Sequence, residues 1–338
     1  MNISVLGAGS WGMTLAIHLY KNNHNVTVWE FDNAQVELLK KERENKIFLP
    51  GIKLPDDLRI ENDIKSSISG AEMIIFAVPS QVVRMTAEKV NRAVENWKDI
   101  KAVVSVAKGL ELETHKTMST VLAEELNQGS NDLICVLSGP SHAEEVSRDI
   151  PTAIVAASTS NSTSELVQET FSSSYLRVYA GDDVEGLEYG GSFKNTIAIA
   201  AGIVDGAGFG DNTKAALMTR ALVEISRLGV AMGAKEETFR GLAGMGDMIV
   251  TCLSRHSRNR HVGEEVGKGK PLEEVLESMS MVAEGVNTTK IIRELSLEYN
   301  IEMPISEQVY KVLFENKSPE KAVRDLMTRD LKSELPNS

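Results

Sequence analysis

Cysteine is scarce in this chain, with only Cys135 and Cys252 among 338 residues. Neither lies in a CxxC or Cys/His-rich stretch, so a disulfide framework is excluded and no metal site is expected. A reducing compartment, the cytoplasm, is the natural setting. Proline is sparse as well, at 9 residues, and the 42% hydrophobic and 25% charged residues are ordinary for a globular chain, which sets aside fibrous and disordered classes. No apolar run approaches the roughly 18–20 residues of a membrane span. The first residues read as a strand rather than a secretory signal, so membrane insertion is not expected. Basic charge is in deficit: 36 Lys and Arg stand against 48 Asp and Glu, a formal net charge of −12. That balance argues against nucleic acid and anionic membranes as partners. A phosphate-bearing ligand would have to be held by a local cluster of donors.

What is present divides the chain in two. Its length exceeds the ~250–300 residues at which single cores tend to split. The first half alternates short apolar runs with amphipathic segments. Strands are expected at 2–6, 25–29, 73–78, 102–107, 133–137, 153–157 and 176–179. Helices are expected at 13–22, 81–96 and 116–127. Strands apolar nearly throughout are buried on both faces, as in parallel sheets, and the helices supply the crossovers such pairing needs. The expectation is an α/β domain, a Rossmann-type doubly wound parallel sheet, over residues 1–181. From Asp182 the texture changes to Ala, Leu, Met, Glu and Lys at helical spacing, at 195–204, 215–228 and 289–297, with glycine-rich breaks at 206–210 and 241–246. Residues 182–338 are expected to form an all-α C-terminal domain, with the last eight or so residues frayed.

Gly7-Ala-Gly9-Ser10-Trp11-Gly12 is a GxGxxG sequence placed after a strand and opening a helix. Its glycines permit a tight turn, close approach of a pyrophosphate and close helix–strand packing, with the helix N-terminus facing the phosphates. Glu30 closes the second strand near the spacing at which an acid accepts ribose hydroxyls. The pair of carboxylates in Glu30-Phe31-Asp32 would repel a 2′-phosphate, which favours NAD over NADP. Lys40, Lys41 and Arg43 follow one helix on, so use of both cofactors stays open.

Further segments point to chemistry. Lys108, in Ala107-Lys-Gly-Leu-Glu111, and Ser138-Gly139-Pro-Ser141-His-Ala143 each follow a strand end, the edge at which open α/β sheets bind ligands. Lys194-Asn195 opens an apolar helical run. Asp247 and Thr251 lie in GMGDMIVT, followed by Ser257-Arg258-Asn259-Arg260. Taken singly, each has a plainer reading: a solvated lysine, a helix N-cap at Asp247, a surface ion pair at Arg258.

With these segments in order, and with Phe48-Leu-Pro-Gly51, KNTIAIAAG, GDNTKAALMTRAL and VAEGVNTT besides, the chain resembles the NAD(P)-dependent glycerol-3-phosphate dehydrogenases of bacterial type. The resemblance runs from the glycine fingerprint to Met303-Pro304. It implies interconversion of dihydroxyacetone phosphate and sn-glycerol 3-phosphate for glycerophospholipid synthesis. By that resemblance Lys194 is the proton donor and acceptor, with Lys108 and Asp247 as its catalytic partners. It further implies that Lys108, Gly139, Ser141, Lys194, Asn195, Asp247, Thr251, Ser257, Arg258 and Asn259 meet the substrate. Cofactor contacts carried over are Gly7, Gly9, Ser10, Trp11, Gly12, Glu30, Phe31, Phe48, Lys108, Ala143, Arg258, Val282 and Glu284. Acid–base logic agrees, because carbonyl reduction leaves an alkoxide to be protonated, and a lysine lowered by desolvation and a second cation suits that task. Ser192-Phe193 and Thr196 depart slightly from the family pattern without removing a chemical group. Two other readings remain: a two-domain dehydrogenase of the 6-phosphogluconate or 3-hydroxyacid type, and a non-catalytic NAD-sensing module. A homodimer is the base-rate expectation.

Overall fold

In the computed structural model, which describes residues 1–126, 131–279, 281–331 and 333–334, the described strands form one eight-stranded sheet. They are β1 (Asn2–Leu6), β2 (Asn25–Trp29), β3 (Arg59–Glu61), β4 (Met73–Phe76), β5 (Ala102–Ser105), β6 (Ile134–Ser138), β7 (Thr152–Ala157) and β8 (Leu176–Gly181). Their order is β3-β2-β1-β4-β5-β6-β7-β8, so the order reverses between β1 and β4 and opens a crevice at their carboxyl ends, where ligands of doubly wound sheets bind. Alternate residues feed opposite layers. Ile3, Val5, Met73 and Ile75 pack with Met13, Leu15 and Leu19 of helix Ser10–Lys21. Leu6, Ile74 and Phe76 pack with Val83, Ala87 and Val90 of helix Val83–Ala93 and with Val121 and Leu122 of helix Met118–Glu125. Both faces are covered, which is why these strands read as nearly continuous apolar runs.

Three features differ from the sequence expectation. β7 runs antiparallel to β6, pairing Val136 with Ala157 and Ser138 with Val155. The segment between them carries only the four-residue helix Ala143–Val146, too little for a parallel crossover. Strand β3 has three residues, too short to show a periodicity. The helix expected to open at Lys194-Asn195 instead begins at Val184 and runs to Gly206, with Gly186–Val204 buried throughout. Asp183 caps it through Gly186 N at 3.0 Å. Gly190 and Gly191 are contact points: a Cβ on either would lie 2.8 Å from Ala243 O or Ser138 Oγ, respectively. Helix Met118–Glu125 falls within the span expected at 116–127; Asn127 lies outside the described residues, as do Lys332 and 335–338 of the tail expected to fray.

Beyond β8 the described chain is helical. Helices Asp211–Ala231, Asp247–Leu253, Arg258–Gly267, Glu284–Glu298 and Pro304–Phe314 surround the long helix Val184–Gly206. Where the long helix crosses Arg258–Gly267 the backbones touch: a Cβ on Gly202 would lie 2.0 Å from Arg260 O, and one on Gly263 2.0 Å from Ile199 O. The 241–246 stretch is one wide turn, Gly246 N donating to Gly241 O at 3.1 Å, and it leads directly into the helix that starts at Asp247. None of the described helices is long and apolar enough to cross a membrane.

Candidate active site

The glycine loop sits at the β1–β4 switch point. Gly7 has φ +114°, and a Cβ there would lie 2.8 Å from Ala77 O at the end of β4, so only glycine fits. A Cβ on Gly12 would lie 2.0 Å from Gly7 O, whereas one on Gly9 meets nothing within 4 Å. Gly9 therefore borders open space, and as the N-cap of helix Ser10–Lys21 it offers no capping side chain to the first-turn amides. Those amides suit a pyrophosphate. The Glu30 carboxylate lies against the loop, accepting from Ala8 N at 3.3 Å and from Asp32 N at 3.1 Å. Ser10 opens the helix and Trp11 packs partly buried beside it. Phe31 is 76% exposed at the rim, and Asp32 caps the next helix through Ala34 N at 2.9 Å. Arg43 is withdrawn from this rim: its guanidinium donates to Pro55 O and, at 3.0 Å, to Leu58 O. Sequence reasoning missed Asn45, a buried amide that donates to Ala8 O at 2.7 Å and accepts from Phe48 N at 3.0 Å, tying the Phe48 loop to the glycine loop. A polar residue just ahead of an apolar turn was its only signal.

The second centre forms where the sheet meets the helices. Asp247, 1% exposed, is not an N-cap; Gly246 is. Its carboxylate takes one lysine on each oxygen, Lys108 Nζ at 2.8 Å on Oδ2 and Lys194 Nζ at 2.9 Å on Oδ1. Lys108 arrives from the loop after β5 and also donates to Gly139 O at 2.8 Å and toward Ser141 Oγ at 3.5 Å. Lys194 arrives from the middle of the long helix and donates to Thr251 Oγ1 at 2.5 Å. Burial lowers Lys194 to about 8 against the pull of Asp247, and the Lys108 charge adds to the lowering. Burial alone would raise the Asp247 carboxyl, but the two ammonium groups outweigh it and hold it below the usual carboxylate value. The cluster thus places two lysines on one carboxylate, with Lys194 held below the usual lysine value.

A polar ladder flanks it. Asn195 Nδ2 donates to Lys108 O at 3.4 Å, Asn259 Nδ2 to Asn195 Oδ1 at 2.9 Å, and Gly285 N to Asn259 Oδ1 at 2.9 Å. The two amides named as substrate ligands thus also join three helices to the Lys108 backbone. Ser257 caps helix Arg258–Gly267 through Arg260 N at 3.2 Å. Arg258 is exposed, does not touch the lysine cluster, and donates to Val282 O at 2.9 Å. Val282 is itself half-exposed. Glu284 accepts from Ser80 N at 3.0 Å and Ser80 Oγ at 2.7 Å, bridging the helices to the end of β4. Ala143 O accepts from Thr14 Oγ1 of the glycine helix at 3.3 Å. A groove of about 1500 Å³ in the helical half, lined by residues such as Leu217, Val223, Ile305 and Leu326, contains none of the residues of either centre.

Comparison with known proteins follows this geometry. Residues 2–164 match the family description "NAD-dependent glycerol-3-phosphate dehydrogenase N-terminus", and residues 183–324 match its C-terminus. A protein of Chlorobium phaeobacteroides (strain BS1), named glycerol-3-phosphate dehydrogenase, NAD(P)+, is 50% identical over 99% of both chains. One of Thermoanaerobacter sp. (strain X514), with the same name, is 52% identical over 99% of both. The crystal structure of glycerol-3-phosphate dehydrogenase from Coxiella burnetii superposes with a TM-score of 0.91 at 35% identity, covering 97% of this chain and 99% of that one.

Proposed function

The chain belongs to the NAD-dependent glycerol-3-phosphate dehydrogenase family, and from that premise we propose that it interconverts dihydroxyacetone phosphate and sn-glycerol 3-phosphate. The observation that carries this reading is the Asp247 carboxylate holding Lys108 and Lys194 at the edge of the sheet. When bound, the nicotinamide cofactor supplies the hydride for reduction and accepts it in oxidation. Gly7, Gly9, Gly12 and the first turn at Ser10 and Trp11 cradle its pyrophosphate, and Glu30 meets its ribose. Phe31, Phe48, Ala143, Val282 and Glu284 line its path, with Lys108 and Arg258 at its substrate end.

Lys194 gives its proton to the substrate oxygen as the carbonyl is reduced and takes it back in the reverse direction. Lys108 polarises that oxygen with its positive charge. Asp247 fixes both ammonium groups and keeps the pocket from accumulating two uncompensated charges. Asn195 and Thr251 meet the substrate hydroxyls, while Gly139 and Ser141 line the same side. Arg258 takes the phosphate with its planar fork, aided by Asn259 and Ser257. Residues 1–181 then act as the dinucleotide-binding domain and 182–338 as the substrate domain. We place the enzyme in the cytoplasm as a homodimer, a state that light scattering would check.

The assay is oxidation of NADH and NADPH with dihydroxyacetone phosphate. Robust turnover is expected, with NADH preferred: Asp32 stands at the ribose rim and Arg43 is engaged elsewhere. Better turnover of 3-hydroxy acids would overturn the substrate; a tenfold or greater preference for NADPH would overturn the cofactor choice. The 6-phosphogluconate or 3-hydroxyacid alternative is not favoured, because relatives about half identical over the whole chain carry the glycerol-3-phosphate dehydrogenase name.

A further inference from the structure

Lys108 lies on a loop, not on an element. Strand β5 ends at Ser105 and the next helix begins at Met118, and connections of this kind are mobile unless tied down. Its ammonium nevertheless has to meet a carboxylate on a helix of the other half, at 2.8 Å. Gln81, in the short turn Ser80–Val82 after β4, and Arg84, in the first turn of helix Val83–Ala93, supply the ties. Gln81 acts as an extra peptide group: its Nε2 donates to Leu110 O at 2.7 Å and its Oε1 accepts from Leu112 N at 3.0 Å. Both the acceptor and the donor sides of the loop backbone are thereby held.

Arg84 grips the same loop through Glu111, with Nε on Oε1 at 2.7 Å and Nη2 on Oε2 at 2.8 Å, a bidentate fork. The remaining guanidinium donors reach Glu125 at 2.5 Å and Glu124 at 2.9 Å, so the fork is anchored to helix Met118–Glu125. Between the two ties Leu110 is fully buried in the apolar cluster of the helical half. Gly109 lies so close to Ser80 that a Cβ would stand 2.5 Å from its hydroxyl oxygen.

We propose that Gln81 and Arg84 are positioning residues for the reaction, holding the loop so that Lys108 meets Asp247. This rests on the role assigned above to Lys108. Neither side chain touches Lys108; both act on the loop that carries it. Since displacement of a catalytic group by about 1 Å can cost roughly a hundredfold, loosening either tie lowers the rate while leaving the glycine loop intact.

The test uses Gln81→Met and Arg84→Met, which keep side-chain length and lose the hydrogen bonds, together with Arg84→Lys, Lys108→Ala and the corresponding double variants. Each of the first three is expected to lower kcat with dihydroxyacetone phosphate at least tenfold, with NADH affinity, read by fluorescence, changed less than twofold. In the Lys108→Ala background the same substitutions should cost nothing more, because the interaction they serve is gone. Independently of turnover, acetylation of Lys108 by acetic anhydride, followed by peptide mass spectrometry, should be several-fold faster in the variants. Unchanged labelling, or a loss in kcat that persists in full without Lys108, overturns the proposal. No effect of Lys108→Ala on wild-type turnover would instead overturn the role of Lys108 itself, and the labelling result would still decide the positioning.

Discussion

Burial and the neighbouring Lys108 charge bring Lys194 to about 8, against the opposing pull of Asp247. At residue scale this sets the direction of the pH dependence. With Lys194 as the proposed proton donor, reduction would use the protonated amine, so kcat with dihydroxyacetone phosphate should fall as pH rises through about 8, whereas glycerol 3-phosphate oxidation would use the neutral amine and should fall as pH drops below it. A pH-rate series in both directions checks this, and limbs of the same sign would remove Lys194 from proton transfer. Lys194→Ala should lower kcat by roughly 10²–10⁴-fold while NADH still binds, measured by fluorescence titration. Arg258 lies outside the lysine cluster and engages only Val282 O among the hydrogen bonds described, which leaves donors on its guanidinium for a phosphate. Arg258→Ala should therefore raise KM for dihydroxyacetone phosphate about 10–100-fold, the worth of a charge-assisted hydrogen bond of ~1.5–3 kcal/mol; a fall in kcat at constant KM would count against ground-state anchoring.

At the scale of elements, the long helix and Arg258–Gly267 cross with their backbones in contact. A methyl group on Gly263 cannot be housed 2.0 Å from Ile199 O without moving the helices apart. Gly263→Ala should cost about 2 kcal/mol or more, as overpacking does, seen as a lower midpoint in urea. The same shift would move Asn259 and Ser257, so activity should drop further than stability alone explains. Elements also show where the sequence was readable. β1, β4 and β5 announced themselves because burial on both faces leaves nearly continuous apolar runs. That signal is blind to direction, so β7 gave no hint of running antiparallel. The long helix starts earlier than the apolar run from Asn195 implies, because Val184–Phe193 mixes glutamates and glycines with apolar residues and is buried only by the fold. In the site, Lys108 after a strand end, Lys194-Asn195 at an apolar helical run and Asp247 after a glycine-rich stretch stand out in the sequence. By contrast, the work of Asn45, Gln81 and Arg84 depends on partners brought close only by folding.

For the whole molecule, the glycine loop, Glu30 and the helix at Glu284 that reaches Ser80 put residues of both halves on the proposed cofactor path. A ligand that binds only the folded chain stabilises it by mass action. At NADH a hundred times its Kd, the unfolding free energy should rise by about 2.7 kcal/mol, measured as a concentration-dependent rise in the thermal midpoint. No shift at saturating NADH would argue against the cradle at Gly9. The Asp247 carboxylate, meanwhile, receives one lysine from the loop after β5 and another from the long helix. A chimera joining the amino-terminal half of one relative to the carboxyl-terminal half of another would inherit turnover only if the seam were inherited with it. Fitness of such a chimera would then turn on the handshake between its two parents rather than on where the chain is joined.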